Sequence, residues 1–227
     1  MRPLVSVVIP VYNGERYLAE AVQSVLDQDY RPLEVLLIDD GSTDASASIA
    51  RSFGPPVHYH RREHAGLAAT RNYGVQQARG ELLAFQDADD RWVPGRLARQ
   101  VEILQAEPEL DGVFGKMHQF VSPELDPALQ ERLRPRTVQL DALSPCTLLI
   151  RSAAYRRVGE QDARWTLGEF LDWLLKAREL GIRTRILDEL VLERRIHANN
   201  MGRRERDSRS DYARILHAAL QRKRGVS

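Results

Sequence analysis

The chain has 227 residues, 43% hydrophobic and 29% charged. That excludes disorder, collagen and coiled coil, and suits one large domain, or two small lobes sharing a core, without disulfide staples. The net charge of +1 is uneven: residues 203–227 hold eight Arg or Lys against three acids, which leaves −4 on residues 1–202, so no nucleic-acid partner is expected for the body.

Residues 4–11 read as a buried strand. Leu18, Ala21, Val22, Val25 and Leu26 fall on one face of a helix over 15–28, after a turn at Asn13 and Gly14. A second strand covers 34–39. Gly41 and Ser42 then turn the chain, with Ser42 the expected N-cap of a helix over 43–53 that Pro55 and Pro56 end. A third strand at 57–61, a helix over 66–78 closed by Gly80 and a fourth strand at 82–86 complete a βαβαβαβ unit.

A helix follows Pro94 to about Ala106, and there the alternation stops. A strand at 112–117, a polar, Pro-containing stretch at 122–143, an apolar run at 146–150, a helix over 166–180 and two short strands at 183–188 and 191–196 suggest an appended lobe. In the tail, Tyr212, Ile215, Leu216, Ala219 and Leu220 repeat at helical spacing among basic residues. This C-terminal helix is expected to pack on its own domain, or to contact a membrane surface or a protein through 208–224. Cys146 is the single cysteine, no apolar run reaches the roughly 18 residues of a membrane span, and no signal-peptide pattern opens the chain. A cytoplasmic location is expected, with a peripheral position at the inner face of the membrane as the alternative.

Parallel strands joined by right-handed crossovers gather their C-terminal ends along one rim, the usual ligand site of an open α/β sheet. Here that rim is acidic. Asp39 and Asp40 follow the second strand, and Asp87, Asp89 and Asp90 follow the fourth. Three carboxylates in one turn offer hard oxygen ligands to Mn²⁺ or Mg²⁺; a lesser role is to cap the helix after Pro94. There is no phosphate-cradling Gly-x-x-x-x-Gly-Lys-Ser/Thr and no dinucleotide Gly-x-Gly-x-x-Gly in the first turn. His58, His60 and His64 read as surface or strand residues, since their spacing supplies no ligand set.

Four ordered segments carry a resemblance: Val5 to Asn13 (VSVVIPVYN), Ile38 to Asp44 (IDDGSTD), Ala69 to Gly74 (ATRNYG) and Phe85 to Asp90 (FQDADD). They resemble the successive signatures of family-two glycosyltransferases of the GT-A fold. The resemblance implies an α/β, Rossmann-like fold and an inverting, metal-dependent transferase that moves a sugar from a nucleotide-sugar, usually a UDP-sugar, to an acceptor saccharide, lipid, natural product or peptide. It implies a nucleotide-sugar lobe at 1–100, an acceptor lobe at 101–202 and a basic tail at 203–227. Pro10, Tyr12 and Glu15 would line the base and ribose pocket, Asp39 would contact uracil and Arg71 the base or phosphates. Asp87 would contact the ribose, with Asp89 on the metal and Asp90 nearby.

The late segment Arg194 to Asn200 (RRIHANN) resembles one that closes over the donor in many relatives. There His197 is a further candidate metal ligand, and Arg194 or Arg195 would pair with the diphosphate. The family base is commonly the Asp of a Glu-Asp pair at a helix start, and in this chain that position is Phe170. Glu169 and Asp172, three apart on one helical face, are the candidate bases, and a reaction with no protein base is the alternative. Phe170 also motivates a second reading, a nucleotide-sugar-binding partner subunit without catalysis. A nucleotidyltransferase is disfavoured for want of a Gly- and Lys/Arg-rich first loop.

Overall fold

The computed structural model describes residues 2–135, 137–141, 143–200 and 210–225. The alternating unit forms as the pattern requires, with β1 (Val5–Val11), α1 (Leu18–Leu26), β2 (Leu33–Asp39), α2 (Ser46–Ser52), β3 (Val57–Arg61), α3 (Leu67–Gln77) and β4 (Leu82–Phe85). It continues through β5 (Arg91–Trp92), α4 (Arg96–Ala106), β6 (Gly112–Val121), α5 (Pro127–Leu133), β7 (Gln139–Asp141), a 3₁₀ turn (Pro145–Thr147) and β8 (Leu149–Arg151). Then come α6 (Ser152–Val158), α7 (Glu169–Glu179), β9 (Thr184–Ile196) and α8 (Ser210–Gly225).

The strands form one sheet in the order β3-β2-β1-β4-β8-β6-β9-β5, with β7 added on β6. β1 to β4 are mutually parallel. β8 pairs antiparallel with both β4 and β6, and β9 runs parallel to β6. β6 and β9 therefore point the same way as β1 to β4, and the sheet is mostly parallel. The ends of β6 and β9, at Val121 and Ile196, reach the same rim as the ends of β1, β2 and β4.

β1 and β2 are buried along their whole length, as strands covered on both faces must be. Period-two alternation sends Val5, Val7, Ile9 and Val11 into one core with α1 and α4, while Val8, Leu36, Ile38 and Phe85 enter a second core with α3, α6 and α7. Phe170 belongs to the second core. It stacks on Trp173 at 5.5 Å, and Trp173 stacks on Tyr155 at 4.5 Å.

Pro10 marks where the sheet opens. β1 stays paired with β2 to Val11, but its ladder with β4 stops at Val8 against Phe85. Even-numbered residues of β1 bond toward β4, as in the Gln86 N–H to Val8 O bond, so the proline's missing donor falls where β4 turns away. The crevice begins there.

α3 lies close to β1 because position 74 is glycine. A Cβ built there would sit 2.4 Å from Val8 Cγ1. Gly74→Ala is expected to cost about 1–3 kcal/mol by overpacking, more than alanine's helix propensity of about 1 kcal/mol returns; the urea unfolding midpoint is the check.

Several elements differ from the sequence reading. α2 starts at Ser46 rather than near residue 43, and Ser42 does not cap it: its Oγ accepts the Asn13 N–H. The two expected strands at 183–196 are one strand, β9, whose pairing with β6 absorbs register shifts around Lys116. The polar stretch at 122–143 contains α5, capped by Asp126 with a proline in the first turn, and α6 follows β8 directly. No helix among the described residues is long and apolar enough to cross a membrane. Residues 203–209 of the basic tail lie outside the described residues.

Candidate active site

The β1 and β2 ends are laced together by their own polar groups. Asn13, Gly14 and Glu15 donate backbone N–H bonds to Ser42 Oγ, Ser46 Oγ and Asp44 Oδ2. In return Thr43 N–H reaches Asn13 Oδ1 and Ala45 N–H reaches Glu15 Oε2. Glu15, expected at the ribose, thus closes the loop beside it. Asp44 stays below its ordinary carboxyl range because, although burial opposes it, the bonds from Ser46 and Glu15 outweigh that effect.

Asp39 and Asp40 are both buried. Asp39 accepts the Ser42 N–H at 2.8 Å and the Tyr59 hydroxyl at 2.6 Å. Burial and that bond to Asp39 push the Tyr59 phenol up to about 12. Asp40 receives the backbone N–H groups of Ala65 and Gly66, which fixes the entry to α3. Its other neighbour is His64, with Nδ1 2.8 Å from Asp40 Oδ2. The His64 ring stacks on the exposed ring of Tyr12, centroids 4.2 Å apart. An aromatic platform therefore stands at the rim, and half of it, His64, was not anticipated as a site residue.

The turn after β4 meets the end of β9. Arg91 and Trp92 of β5 pair with Glu193 and Leu192. Asp90, buried, accepts the Arg195 N–H at 2.9 Å. Asp89 Oδ2 lies 2.9 Å from His197 Nε2 and accepts Asn200 Nδ2–H at 3.2 Å, and the Asn200 amide oxygen takes the His197 N–H. His197 and Asp89, 108 positions apart, are neighbours because β6 and β9 run with β4. Burial raises the Asp90 carboxyl well above its ordinary value, and the charges of Asp89 and Asp87 add to the effect.

Arg195 is committed to the protein. Its guanidinium pairs with Glu20, donates to Asp89 O and Ser122 Oγ, and stacks on Tyr17 and Phe120. Tyr17, whose ring lies 5.0 Å from His197, and Arg195 line a cavity of about 490 Å³. Arg194 is exposed and touches Gln119.

Arg71 lies beneath the rim rather than on it. It is 2% exposed, and it donates to Asp87 Oδ1 at 2.7 Å and to Glu169 Oε1 at 2.8 Å. Burial works to lower its pKa, but the charges of Asp87 and Glu169 outweigh that and raise it. Glu169 is thereby joined to the acidic turn. Asp172 faces elsewhere: it pairs with Lys176 at 2.7 Å and with Arg222 of α8 at 3.4 Å. Of the two candidate bases, only Glu169 is tied to the rim.

Cys146, fully buried, presents its sulfur to the same turn, within 4.8 Å of ligand atoms of Asp87 and Asp90. Burial raises its thiol pKa and the Asp87 charge adds to it, so it stands as a neutral floor. No motif in the sequence signalled this position.

The set of donors suits a hard divalent cation. Asp87, Asp90 and Cys146 present ligand atoms within 4.8 Å of one another, Asp89 Oδ2 and His197 Nε2 meet beside them, and a cation there would offset the repulsion from Asp89 and Asp87 that, with burial, raises Asp90.

Comparison with known proteins agrees with this architecture. The family model described as Glycosyl transferase family 2 matches residues 6–158. An uncharacterized glycosyltransferase of Rickettsia typhi is 31% identical over 208 residues, which cover 86% of this chain and 64% of that protein. EpsE of Bacillus subtilis, named as a glycosyltransferase, is 30% identical over 239 residues, covering 97% of this chain and 83% of that protein. Among solved structures, Staphylococcus aureus TarS 1–349 in complex with UDP superposes with a TM-score of 0.70 at 23% identity, over 86% of this chain and 61% of that one. The mannosyltransferase PcManGT of Pyrobaculum calidifontis, in complex with GDP-Man and Mn²⁺, gives 0.67 at 22%, over 88% and 59%. The fold is GT-A, and the chain belongs to glycosyltransferase family 2.

Proposed function

We propose that the chain is an inverting glycosyltransferase that uses a nucleotide-sugar donor, a UDP-sugar by preference, and Mn²⁺ or Mg²⁺. One observation carries this reading: Asp89 and His197 meet at a sheet-end crevice where Arg71 also ties Asp87 to Glu169. UDP and UDP-GlcNAc in TarS complexes, and GDP-Man with Mn²⁺ in PcManGT, support the donor class and the metal. Residues 1–100 hold the donor in this reading, and 101–202 meet the acceptor.

Tyr12 and His64 offer a ring face for the nucleobase, beside the buried carboxylate of Asp39. Asp89 and His197, with Asp90 behind them, would hold the cation, whose charge would offset that on a departing diphosphate. Glu169 takes the proton of the acceptor nucleophile as the new bond to the anomeric carbon forms and the bond to the diphosphate oxygen breaks. Arg71 fixes the direction of that carboxylate, and inversion follows from a single in-line displacement.

Glu169→Gln keeps the bond to Arg71 and removes the base. It is expected to lower turnover about 10²-fold, read as UDP released from UDP-sugar, while the donor's stabilisation of the fold stays unchanged. Turnover equal to the parent would remove Glu169 from this role.

One feature favours a partner subunit without catalysis: Phe170, at the family's usual base position, is part of the core. In that case the donor binds and stabilises the chain, and no UDP is released with Mn²⁺ for any acceptor.

A further inference from the structure

Arg195 brings a positive charge to the acidic turn. Its backbone N–H is bonded to Asp90 Oδ1 at 2.9 Å, its Nε donates to the Asp89 carbonyl at 3.1 Å, and His197 follows in the same segment. The side chain is only 5% exposed, so its charge is little screened and needs a partner. Carboxylates are the strongest partners a guanidinium finds, often through two parallel bonds. Paired in that way with Asp89 or Asp90, Arg195 would occupy the oxygens a divalent cation needs. Instead, its one carboxylate partner among the described residues is Glu20 of α1.

The other groups around Arg195 hold it in the same direction. Its Nη1 donates to Ser122 Oγ at 3.2 Å, and the ring centroids of Tyr17 and Phe120 lie 4.5 and 4.8 Å from the guanidinium carbon. Arg16 lies over Tyr17 in turn, and Arg91 over Phe120, at 5.4 and 4.5 Å, so cations and rings alternate along the wall of the cavity. Glu20 ties this row together, since its other oxygen pairs with Arg91 at 2.8 Å. As an acid in the first turn of α1 it also suits the helix dipole, but it stands outside the buried stripe and is 44% exposed. We propose that Glu20 is a positioning residue of the metal site: it holds the Arg195 guanidinium on the α1 side and so leaves the Asp89 and Asp90 carboxylates, with His197, free for the cation. This inference rests on the metal reading of the site. Glu20 acts through Arg195, and its removal releases a buried positive charge beside the acids that the cation needs.

The test is the electron paramagnetic resonance signal of free Mn²⁺, titrated with the full chain in the presence of UDP. Glu20→Gln is expected to weaken Mn²⁺ binding about tenfold, the usual consequence of losing a group that supports metal ligands, and Glu20→Ala by at least as much. Arg91→Met breaks the other pair that Glu20 makes and leaves the Arg195–Glu20 pair in place. It is expected to lower the melting temperature yet keep Mn²⁺ affinity within about twofold of the parent, which separates positioning from general loosening of α1. Circular dichroism melts check that each variant is folded at the temperature of the titration. Parent-like Mn²⁺ affinity in folded Glu20→Gln and Glu20→Ala, or an equal loss in Arg91→Met, overturns the proposal while the metal reading stands. No Mn²⁺ binding by the parent removes the metal reading, and this inference with it.

Discussion

Asp89→Asn is expected to reduce Mn²⁺-dependent UDP release by at least about 10³-fold, while the ligand-free protein melts where the parent does. The two halves of that expectation have separate causes. Asp89 is partly exposed, and its structural partners are His197 Nε2 and Asn200 Nδ2 on one oxygen, which an amide oxygen of the same shape still accepts. A surface substitution of this kind stays within about 0.5 kcal/mol. What the amide lacks is charge, the property on which cation binding and the departure of a diphosphate depend. A thermal-shift titration separates binding from chemistry: the parent gains stability with UDP and Mn²⁺ by mass action, and the variant is expected to gain little. Turnover within tenfold of the parent would remove Asp89 from the metal site.

The rim itself was legible in the sequence. Runs of β-branched residues alternating with amphipathic segments dictate parallel strands, and parallel strands place Asp39, Asp40 and Asp87 to Asp90 on one side. Which of those acids are free was not legible. Asp40, Asp44 and Glu15 are engaged by backbone N–H groups of neighbouring loops, and nothing in a run of acids reveals such partners. The Asp89–His197 neighbourhood, implied by the resemblance that named both as candidate metal ligands, follows physically from β6 and β9 running with β4, which periodicity alone, reading 183–196 as two short strands, did not show. His64 was dismissed for want of a metal-ligand pattern, yet it is Asp40 and Tyr12 that give it a place. By contrast, α5 had a signal in Asp126-Pro127, an N-cap followed by a first-turn proline.

Phe170 shows the limit of motif transfer. At sequence level its position is a missing base; in the structure it is a core aromatic between Phe114 and Trp173. Putting Asp there would bury a charge in the second core; of the two candidate bases it is Glu169, one residue earlier, that Arg71 ties to the rim.

Arg71→Met should bring the largest loss of stability, about 3–5 kcal/mol, the usual cost of removing one partner from a buried ion pair. Arg71 joins three segments: its own helix α3, the turn after β4 through Asp87, and the start of α7 through Glu169. Asp87 keeps some access to water, but the Glu169 side chain is only 9% exposed, so its carboxylate would lose its countercharge in a poorly solvated place. Since Arg71's pKa is raised, its folded-state contribution is present throughout the ordinary pH range and would fade only at pH above the guanidinium's unfolded value. Lysine should not rescue the fold, because one ammonium lacks the planar fork that reaches both carboxylates. Arg71→Met/Glu169→Gln removes the stranded charge along with its partner and should recover part of the loss, a coupling read from urea unfolding as a double-mutant cycle. If the Met and Lys variants both unfold with the parent, Arg71 does not hold α7 against the rim, and the Arg71 contact no longer explains how Glu169 is brought to the site.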